Sequence, residues 1–525
     1  MSQFSRRAFL KSTLASGAGL ALPVYGQAPA VVTSDRLRPQ AVSGVQIGDV
    51  TGGSALVWSR ADRPSRLIVE RAFKEDFSDA VRIRGPLALE TTDYTARVDL
   101  TGLPAGREVF VRVAFENASF ERTHSEPLVA RFRTMPADKR DVTFAWSGDT
   151  AGQGWGINKE WGGMKCYETV RAERPDFFVH CGDTIYADGP IAAQVALPGD
   201  AVWSNVVTEE VSKVAETLKE FRGRYAYNLM DDNVRRMAAE VPQIWQWDDH
   251  EVMNNWSDAK DISADKRYGE KNVRLLVARA TRAFLEYAPL RYHGADESER
   301  VYRKIAYGPL LDVFVLDMRS YRGPNSYNRQ EKPGPDAAFL GPQQLAWLKS
   351  ELKRSKATWK VVSADMPIAL LVGDGKDAQG RDMFEAVANG DGPVLGREFE
   401  FANLFSFLKK EKVHNVVWIT ADVHYTAAHY YDPRKAQFTD FAPFWEFVSG
   451  PIHAGGFGPN ALDNTFGPQL VYQKAPNGRN NVPPTEGGQF YGLVKIDGKS
   501  GALRVQLKDL NGAVLFEKVL SPARA

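Results

Sequence analysis

The stretch VPQIWQWDDHEVMNNW (residues 241–256) joins an apolar run directly to a turn with three acids, one histidine and two asparagines. The run from Val241 to Trp247 is typical of a buried strand. Ligand sites in open α/β sheets lie beyond the carboxyl ends of the strands, so charge at this position indicates more than a connecting turn. The stretch therefore predicts an α/β sheet with functional groups at its rim.

Other apolar runs after Asp141 end in the same way. Helical stretches such as GPQQLAWLKSELKRS (residues 341–355) separate these runs. Strands that alternate with helices predict an α/β domain with a largely buried sheet. We expect the acids at the strand ends to gather at one rim of the sheet. These acids are Asp149, Asp183, Asp248, Asp249, Asp317, Asp365 and Asp422.

Several carboxylates at one rim need a cation among them, because like charges a few ångströms apart repel. In GDTIY, Tyr186 follows Asp183 closely, and a tyrosinate ligand suits trivalent iron better than zinc. In ADVHYTAAHYY, Asp422 and His424 are two residues apart and hence on the same side of an extended segment. The alternative for any single acid is that it caps a helix or stabilises its own turn. The repeated pattern favours a dinuclear metal centre.

The region before this α/β pattern, residues 40–135, consists of short alternating runs that predict a small all-β sandwich. Within it, LTGLPAGREVFVRV (residues 100–113) resembles the turn-and-corner segment of fibronectin type III domains, with Phe110 where those domains usually have tyrosine. We expect this region to serve as a structural spacer or as a lid beside the α/β domain.

The N-terminal stretch SRRAFLKSTLASGAGLALPVYGQA (residues 5–28) has paired arginines, a modest apolar segment and small residues near a plausible cleavage point. It resembles a twin-arginine signal peptide over residues 1–30, which implies export through the twin-arginine machinery and a periplasmic or extracellular location. An ordinary basic leader is the alternative.

The composition excludes several other functions. Lys plus Arg number 66 and Asp plus Glu 65, so no overall charge predicts binding to nucleic acid or to an anionic membrane. No later stretch reaches about 18 uncharged apolar residues, so we expect no transmembrane segment. Two cysteines are too few for a disulfide framework. The partner is expected to be a small molecule.

Five sequence blocks, in this order, resemble the PhoD-like (alkaline phosphatase D) family of calcineurin-like metallophosphoesterases. The resemblance extends from about residue 40 to the C-terminus and implies a four-layer α/β/β/α sandwich over residues 141–520. The blocks are HCGDTIYADG (180–189), WDDHEVMNNW (247–256), LDMRSYRG (316–323), FLGPQQLAWL (339–348) and ITADVHY (419–425).

The resemblance implies metal-dependent hydrolysis of phosphomonoesters or phosphodiesters with Fe³⁺ and Ca²⁺. It implies that Asp183 bridges the metals, that Tyr186 and His424 bind iron, and that Asp249 and Asp422 serve the second metal. His250 is then expected to protonate the leaving group or to steady the phosphoryl oxygens.

The chain departs from the family pattern in AWSGDTAGQGWGIN (residues 145–158), where many members have a cysteine ligand to iron and this chain has none. Asp149 resembles the first aspartate of the wider metallophosphoesterase pattern, so it is expected to supply oxygen in place of sulfur. An oxygen-rich site keeps iron favoured by Tyr186 and leaves zinc or manganese as alternatives.

The remaining candidates have roles that the sequence leaves open. Arg319 is expected either to grip the phosphate or to form an ion pair with Asp317 or a neighbour. His429 either joins the site or supports a ligand. A loop that contains His453 is expected to wall the substrate cleft, and two asparagines are expected to brace the charged turn. These asparagines are Asn254 and Asn255.

Two other functions stay open beside a phosphoric ester hydrolase. The first is a phospholipase-type diesterase that acts on lipid headgroups. The second is an exported, non-catalytic binding scaffold, because a fold does not prove an activity. The presence of a full set of candidate site residues argues against the scaffold. These residues are Asp149, Asp183, Tyr186, Asp249, His250, Asp422 and His424.

Overall fold

The computed structural model describes residues 35–120, 122–257, 259–291 and 299–523. The twin-arginine signal predicted over residues 1–30 lies outside the described residues. From Pro39 onward the chain forms one compact unit. None of the helices in the described ranges combines the length and the apolar character that crossing a bilayer requires.

The helices and strands follow one another in a mixed order. The α-helices of the described residues are α1 (Lys165–Ala172), α2 (Leu218–Asn228), α3 (Asp232–Glu240), α4 (Val273–Tyr287), α5 (Pro342–Arg354) and α6 (Glu398–Lys410). The strands are β1 (Val45–Gly48), β2 (Ser54–Arg60), β3 (Ser65–Ala72), β4 (Val81–Ala88), β5 (Thr95–Thr101), β6 (Glu108–Asn117), β7 (Leu128–Arg133), β8 (Val142–Ser147), β9 (Phe177–His180), β10 (Gln194–Ala196), β11 (Val202–Ser204), β12 (Gln243–Trp245), β13 (Arg303–Ala306), β14 (Leu311–Val315), β15 (Trp359–Ser363), β16 (Gly373–Lys376), β17 (Asp382–Phe384), β18 (Val416–Thr420), β19 (Thr426–Tyr431), β20 (Phe444–Ser449), β21 (Pro468–Lys474), β22 (Phe490–Ile496), β23 (Leu503–Asp509) and β24 (Val514–Leu520).

Two large mixed sheets form the body of the protein. The first has nine strands in the order β24-β23-β22-β8-β9-β12-β1-β2-β5, and the second has seven in the order β13-β14-β15-β18-β20-β19-β21. The central strands β8, β9 and β12 are parallel, as are β14, β15, β18 and β20. The loops that follow these strands therefore lie at one edge of each sheet, where the carboxyl ends of the parallel strands meet.

Alternation along the strands divides the apolar side chains between different clusters. Phe144 of β8 packs in a cluster that draws on both large sheets, whereas its neighbour Ala145 packs in a cluster with residues of α1 to α4. In β15, Val361 belongs to the shared cluster and Val362 to a third cluster with residues of α5 and α6. The period of two thus makes each strand apolar on both faces, as the continuous apolar runs predict.

The predicted N-terminal β region is all-β and shares a sheet with the α/β region. Strands β4, β3, β6 and β7 form a separate four-stranded sheet, but β1, β2 and β5 belong to the nine-stranded sheet. The junction is the parallel pairing of Gly48 in β1 with Gln243 in β12. A Cβ on Gly48 would lie 1.7 Å from the carbonyl oxygen of Pro289, so only glycine fits this approach. Strands β1, β2 and β5 thus extend the nine-stranded sheet sideways from β12, the strand that leads into the WDDHE turn.

Candidate metal centre

The loops after β8, β9, β12 and β18 bring the predicted acids and histidines together. They form three overlapping groups, in each of which the ligand atoms lie within 4.8 Å of one another. The groups are Asp149, Asp183 and His424; Asp183, Asp249 and His250; and Asp248, Asp249 and Asp422. Two residues, Asp183 and Asp249, each belong to two groups. Each group could hold a metal ion.

Four of these side chains leave the strand ends through left-handed backbone conformations. The φ angles are 63° at Asp149, 53° at Asp183, 65° at Asp422 and 58° at His424. Such angles are uncommon outside glycine, are tolerated best by Asp and Asn, and persist where surrounding contacts hold them. Strain repeated at these positions is typical of a functional site.

Backbone hydrogen bonds hold the first two loops against each other. The N–H of Asp149 donates to the carbonyl of Gly182 at 3.1 Å, and the N–H of Thr150 donates to the carbonyl of Asp183 at 2.9 Å. A Cβ on Gly148 would lie 2.7 Å from the Cβ of Ala421, so the loop after β18 packs directly on the first loop. Small residues at these positions let the carboxylates converge.

Buried oxygens without partners show that the site fits a cation. Among the described residues, both carboxylate oxygens of Asp149 and the Oδ1 of Asp249 are buried without a hydrogen-bond partner. Burial raises the pKa of Asp149, Asp183 and Asp422 well above the usual range. An unpartnered buried carboxylate is costly, and a bound cation removes that cost.

Tyr186 and His424 face each other at the first group. The Tyr186 hydroxyl lies 2.8 Å from the Nε2 of His424, and this Nε2 lies 3.7 Å from the Oδ1 of Asp149. The Nδ1 of His424 donates to the carbonyl of Gly455 at 2.5 Å, so Nε2 is the atom left to accept. Burial lowers the pKa of His424 to about 4, which keeps the imidazole neutral as a metal ligand requires.

His250 is held beside this group by an acid that the sequence reading missed. Its Nδ1 lies 2.7 Å from the Oδ1 of Asp188, and its ring lies 4.3 Å from the ring of Tyr186. Burial alone lowers the pKa of His250, but Asp188, Asp249 and Asp183 outweigh it and raise the pKa well above its usual range. Asp188 is part of the HCGDTIYADG block, and its position in this block is the feature of the sequence that could have indicated a role at the site.

The two asparagines lie in the turn that follows His250. The N–H of Asn254 donates to the Oδ2 of Asp188 at 3.0 Å, and the N–H of Asn255 donates to the Oδ2 of Asp249. The side-chain amide of Asn255 donates to Asp374 of β16 at 3.0 Å. Asp374, which the sequence reading did not single out, therefore ties the β16–β17 hairpin to the turn.

Arg319 lies fully buried among carboxylates. Its guanidinium contacts Asp248, Glu385 and, at 3.1 Å, the Oδ2 of Asp365. The carboxylate of Asp317 accepts the backbone N–H of Arg319 at 3.0 Å, so the side-chain ion pairs form with other acids. Glu385, another acid that the sequence reading missed, also contacts Arg322 at 3.0 Å. The structure thus places Arg319 in an internal ion-pair network.

The last two histidines lie outside the three ligand groups. His429 is buried in β19, where its Nδ1 lies 3.0 Å from the Oε2 of Glu446. His453 lies in the loop after β20, where its Nε2 donates to the carbonyl of Gly156 at 3.0 Å. Its ring lies 6.0 Å from the ring of Trp203, within an aromatic cluster. Both side chains have partners in the protein interior.

The chain is similar to known proteins over most of its length. The family model described as PhoD-like phosphatase matches residues 144–507, and the model described as PhoD-like phosphatase, N-terminal domain, matches residues 26–136. Alkaline phosphatase D of Bacillus subtilis (strain 168) is 28% identical over 446 residues, which cover 80% of this chain and 71% of that protein.

Two solved structures are similar in fold. A structure described as "Structure of PhoD" superposes with a TM-score of 0.66 at 21% identity and covers 92% of this chain and 89% of that chain. The purple acid phosphatase PPD1 from yellow lupin (Lupinus luteus) seeds gives a TM-score of 0.55 at 13% identity, with 92% of this chain and 74% of that chain covered. Because the PhoD-like phosphatase model matches well over half of the residues, the chain belongs to the PhoD-like phosphatase family.

Proposed function

We propose that this protein is a secreted, metal-dependent phosphoric ester hydrolase with a dinuclear centre. The observation that carries the proposal is the buried carboxylate of Asp149, whose two oxygens lack hydrogen-bond partners within the described residues and lie among further ligand atoms. When bound, two cations supply positive charge to the phosphoryl oxygens and make a water available as nucleophile at ordinary pH.

The donor atoms divide into two sets that share Asp183. The first metal would be held by Asp149, Asp183, Tyr186 and His424, and the second by Asp183, Asp249 and Asp422. A phenolate with hard oxygen ligands favours Fe³⁺ at the first position, and carboxylates favour Ca²⁺ at the second; zinc or manganese are the alternatives.

We assign His250 as the general acid that donates a proton to the leaving oxygen. The contact between His250 and Asp188 fixes the ring so that Nε2 is directed away from Asp188 and can carry the proton. General acids of this kind commonly contribute about 10²- to 10⁴-fold to the rate. Arg319 is assigned a positioning role, because it is fully buried and its ion pair with Asp248 fixes one oxygen of an acid in the third ligand group.

Three further parts of the proposal concern the whole chain. The shared apolar cluster and the two clusters with helices support a four-layer α/β/β/α order. The two family matches support a β region at 40–135 and a hydrolase region at 141–520. The paired arginines of the leader support twin-arginine export to the periplasm or beyond.

The proposal is tested by hydrolysis of bis(p-nitrophenyl) phosphate and p-nitrophenyl phosphate, with iron and calcium supplied. We expect wild type to turn over at least one ester and Asp183→Asn to lose both turnover and metal. Asp440→Asn is the matched control, because the side chain of Asp440 is 63% exposed and its partner is Lys409.

Two results would redirect the assignment. If wild type with bound metal hydrolyses neither ester but releases headgroups from phosphatidylcholine vesicles, the enzyme is a phospholipase-type diesterase. If metal binds and neither soluble esters nor lipids react, the non-catalytic scaffold replaces the hydrolase.

A further inference from the structure

Phe457 is an aromatic side chain beside the candidate metal centre that does not belong to the apolar core. It is only partly buried, and none of the five apolar clusters in the described part of the chain includes it. Its ring packs edge to face against the imidazole of His424, with 5.3 Å between the ring centroids and an interplanar angle of 80°. A phenyl group at this position gains little for the core and presents apolar surface next to a metal ligand.

The segment that carries Phe457 is held in place on both sides. The N–H of Phe457 donates to the carbonyl of His424 at 3.2 Å. Gly456 and Val482 exchange two backbone hydrogen bonds of 2.9 Å. Gly458, which follows Phe457, has a φ of +82°, and a Cβ there would lie 2.6 Å from the ring of Tyr425. The ring is therefore preorganised, which lowers the entropic cost of binding a ligand against it.

Successive ring contacts connect Phe457 to His250 through His424 and Tyr186. The centroid distances are 4.3 Å from His250 to Tyr186, 6.1 Å from Tyr186 to His424 and 5.3 Å from His424 to Phe457. His250 is the proposed donor to the leaving oxygen. It packs against Tyr186, whereas Phe457 packs against His424, so a phosphoryl group held at these two proposed ligands would have the proton donor beside one ligand and the phenyl ring beside the other.

We infer that Phe457 forms an apolar subsite for the organic substituent that stays on phosphorus, so that the enzyme favours phosphoesters with an aryl or otherwise apolar retained group. This inference rests on the proposed function and specifies its substrate class. An edge-to-face or stacked aromatic contact of this kind corresponds to a preference of about 3- to 10-fold.

The test keeps the leaving group constant and changes only the retained group. The substrates are p-nitrophenyl phenylphosphonate and p-nitrophenyl methylphosphonate, both of which release p-nitrophenolate. We expect wild type to have a higher kcat/KM for the phenyl compound. In Phe457→Ala this preference should fall by about 3- to 10-fold, because KM for the phenyl compound rises. Phe457→Leu should keep part of the preference. Phe120→Ala is the matched control, because Phe120 is a phenylalanine of the N-terminal β region that is 50% exposed.

Metal content is measured for every variant, because a ring beside His424 could instead protect that ligand from solvent. Equal losses on both substrates together with lost metal would assign Phe457 a protective role and overturn the subsite. An unchanged phenyl preference in Phe457→Ala would overturn it as well.

Failure of the proposed function has a different signature. If metal-loaded wild type hydrolyses neither phosphonate, calorimetric binding of phenylphosphonate and methylphosphonate decides the subsite. The hydrolase assignment fails only if the phosphate esters and the lipid vesicles named above are not hydrolysed either. Tighter binding of phenylphosphonate that depends on Phe457 supports the subsite, and equal binding of the two compounds by wild type overturns it.

Discussion

The Nδ1 of His250 lies 2.7 Å from the Oδ1 of Asp188, and the other oxygen of the same carboxylate accepts the N–H of Asn254 at 3.0 Å. One acid from the loop after β9 thus fixes both the ring of His250 and the turn that follows it. Since Asp188 has no place in the three ligand groups of the described residues, its contribution is orientation.

Replacing Asp188 with Asn is expected to lower kcat by about 10- to 100-fold while metal content stays intact, as is typical of residues that orient a catalytic histidine or ligand. The loss should be larger for esters with poorer leaving groups, because these depend more on proton donation. Steady-state kinetics over a series of leaving groups measures it. Asp440→Asn is the control, since the side chain of Asp440 is 63% exposed and pairs with Lys409. A loss that is equal for all leaving groups would contradict the assignment of His250.

Removal of the metals is expected to destabilise the wild-type protein, because ligands that bind only the folded state raise its stability. The carboxylate of Asp149 is buried and both its oxygens lack partners, so chelation leaves a costly group in the interior. In Asp149→Asn we expect loss of bound metal and a smaller drop in Tm on chelation. Elemental analysis and thermal unfolding with and without chelator provide the measurements. Full metal occupancy in this variant would remove Asp149 from the ligand set.

Substitution of Arg319 by Met is expected to cost about 3–5 kcal/mol of unfolding free energy, because it leaves buried carboxylates uncompensated. Asp248, Asp365 and Glu385 all contact the guanidinium. Arg319→Lys should restore little, because a lysine lacks the planar fork that serves several acids at once. Denaturant titration measures the effect, and Arg354→Met is the exposed control. A small effect in Arg319→Met, comparable to that of the control, would show that the network contributes little to stability.

Glu398 provides a pH dependence that is separate from the metal centre. It is 1% exposed, and burial, followed by the nearby charge of Asp463, raises its pKa to about 8. A carboxyl group whose pKa is higher in the folded than in the unfolded protein stabilises the fold at pH values below the unfolded-state pKa. This stabilisation is lost as the pH rises through the folded-state pKa. Between about pH 4.5 and pH 8 the wild type should therefore lose up to a few kcal/mol from this group.

Glu398→Gln removes the titrating group and should show a flatter decline of stability over this pH interval. Denaturant unfolding of both proteins at pH 5 and pH 9 measures the difference. Glu411→Gln is the matched control, because Glu411 is more exposed and its partner Lys353 lies at the surface. Parallel curves for wild type and Glu398→Gln would contradict the raised pKa.

Several features of the fold followed directly from local sequence pattern. Apolar runs predicted strands such as β8 and β15, and the helical stretch at residues 341–355 predicted α5. These signals are local, because the period of two or 3.6 is set by the backbone itself. The sheet shared between the β region and the α/β region was not predicted, because strand pairing between distant segments leaves no periodic trace.

For the site, the sequence by itself determined which residues stand at the strand ends, because parallel strands carry their following loops to one edge. The sequence therefore predicted one shared metal site for five of these residues, which are Asp149, Asp183, Asp249, Asp422 and His424. Only the tertiary structure decided the partners of these groups: the contact of Asp188 with His250, the acids around Arg319, and the placement of Phe457 against His424. Such contacts join segments far apart in the chain, and their distances depend on how the two large sheets and their loops pack.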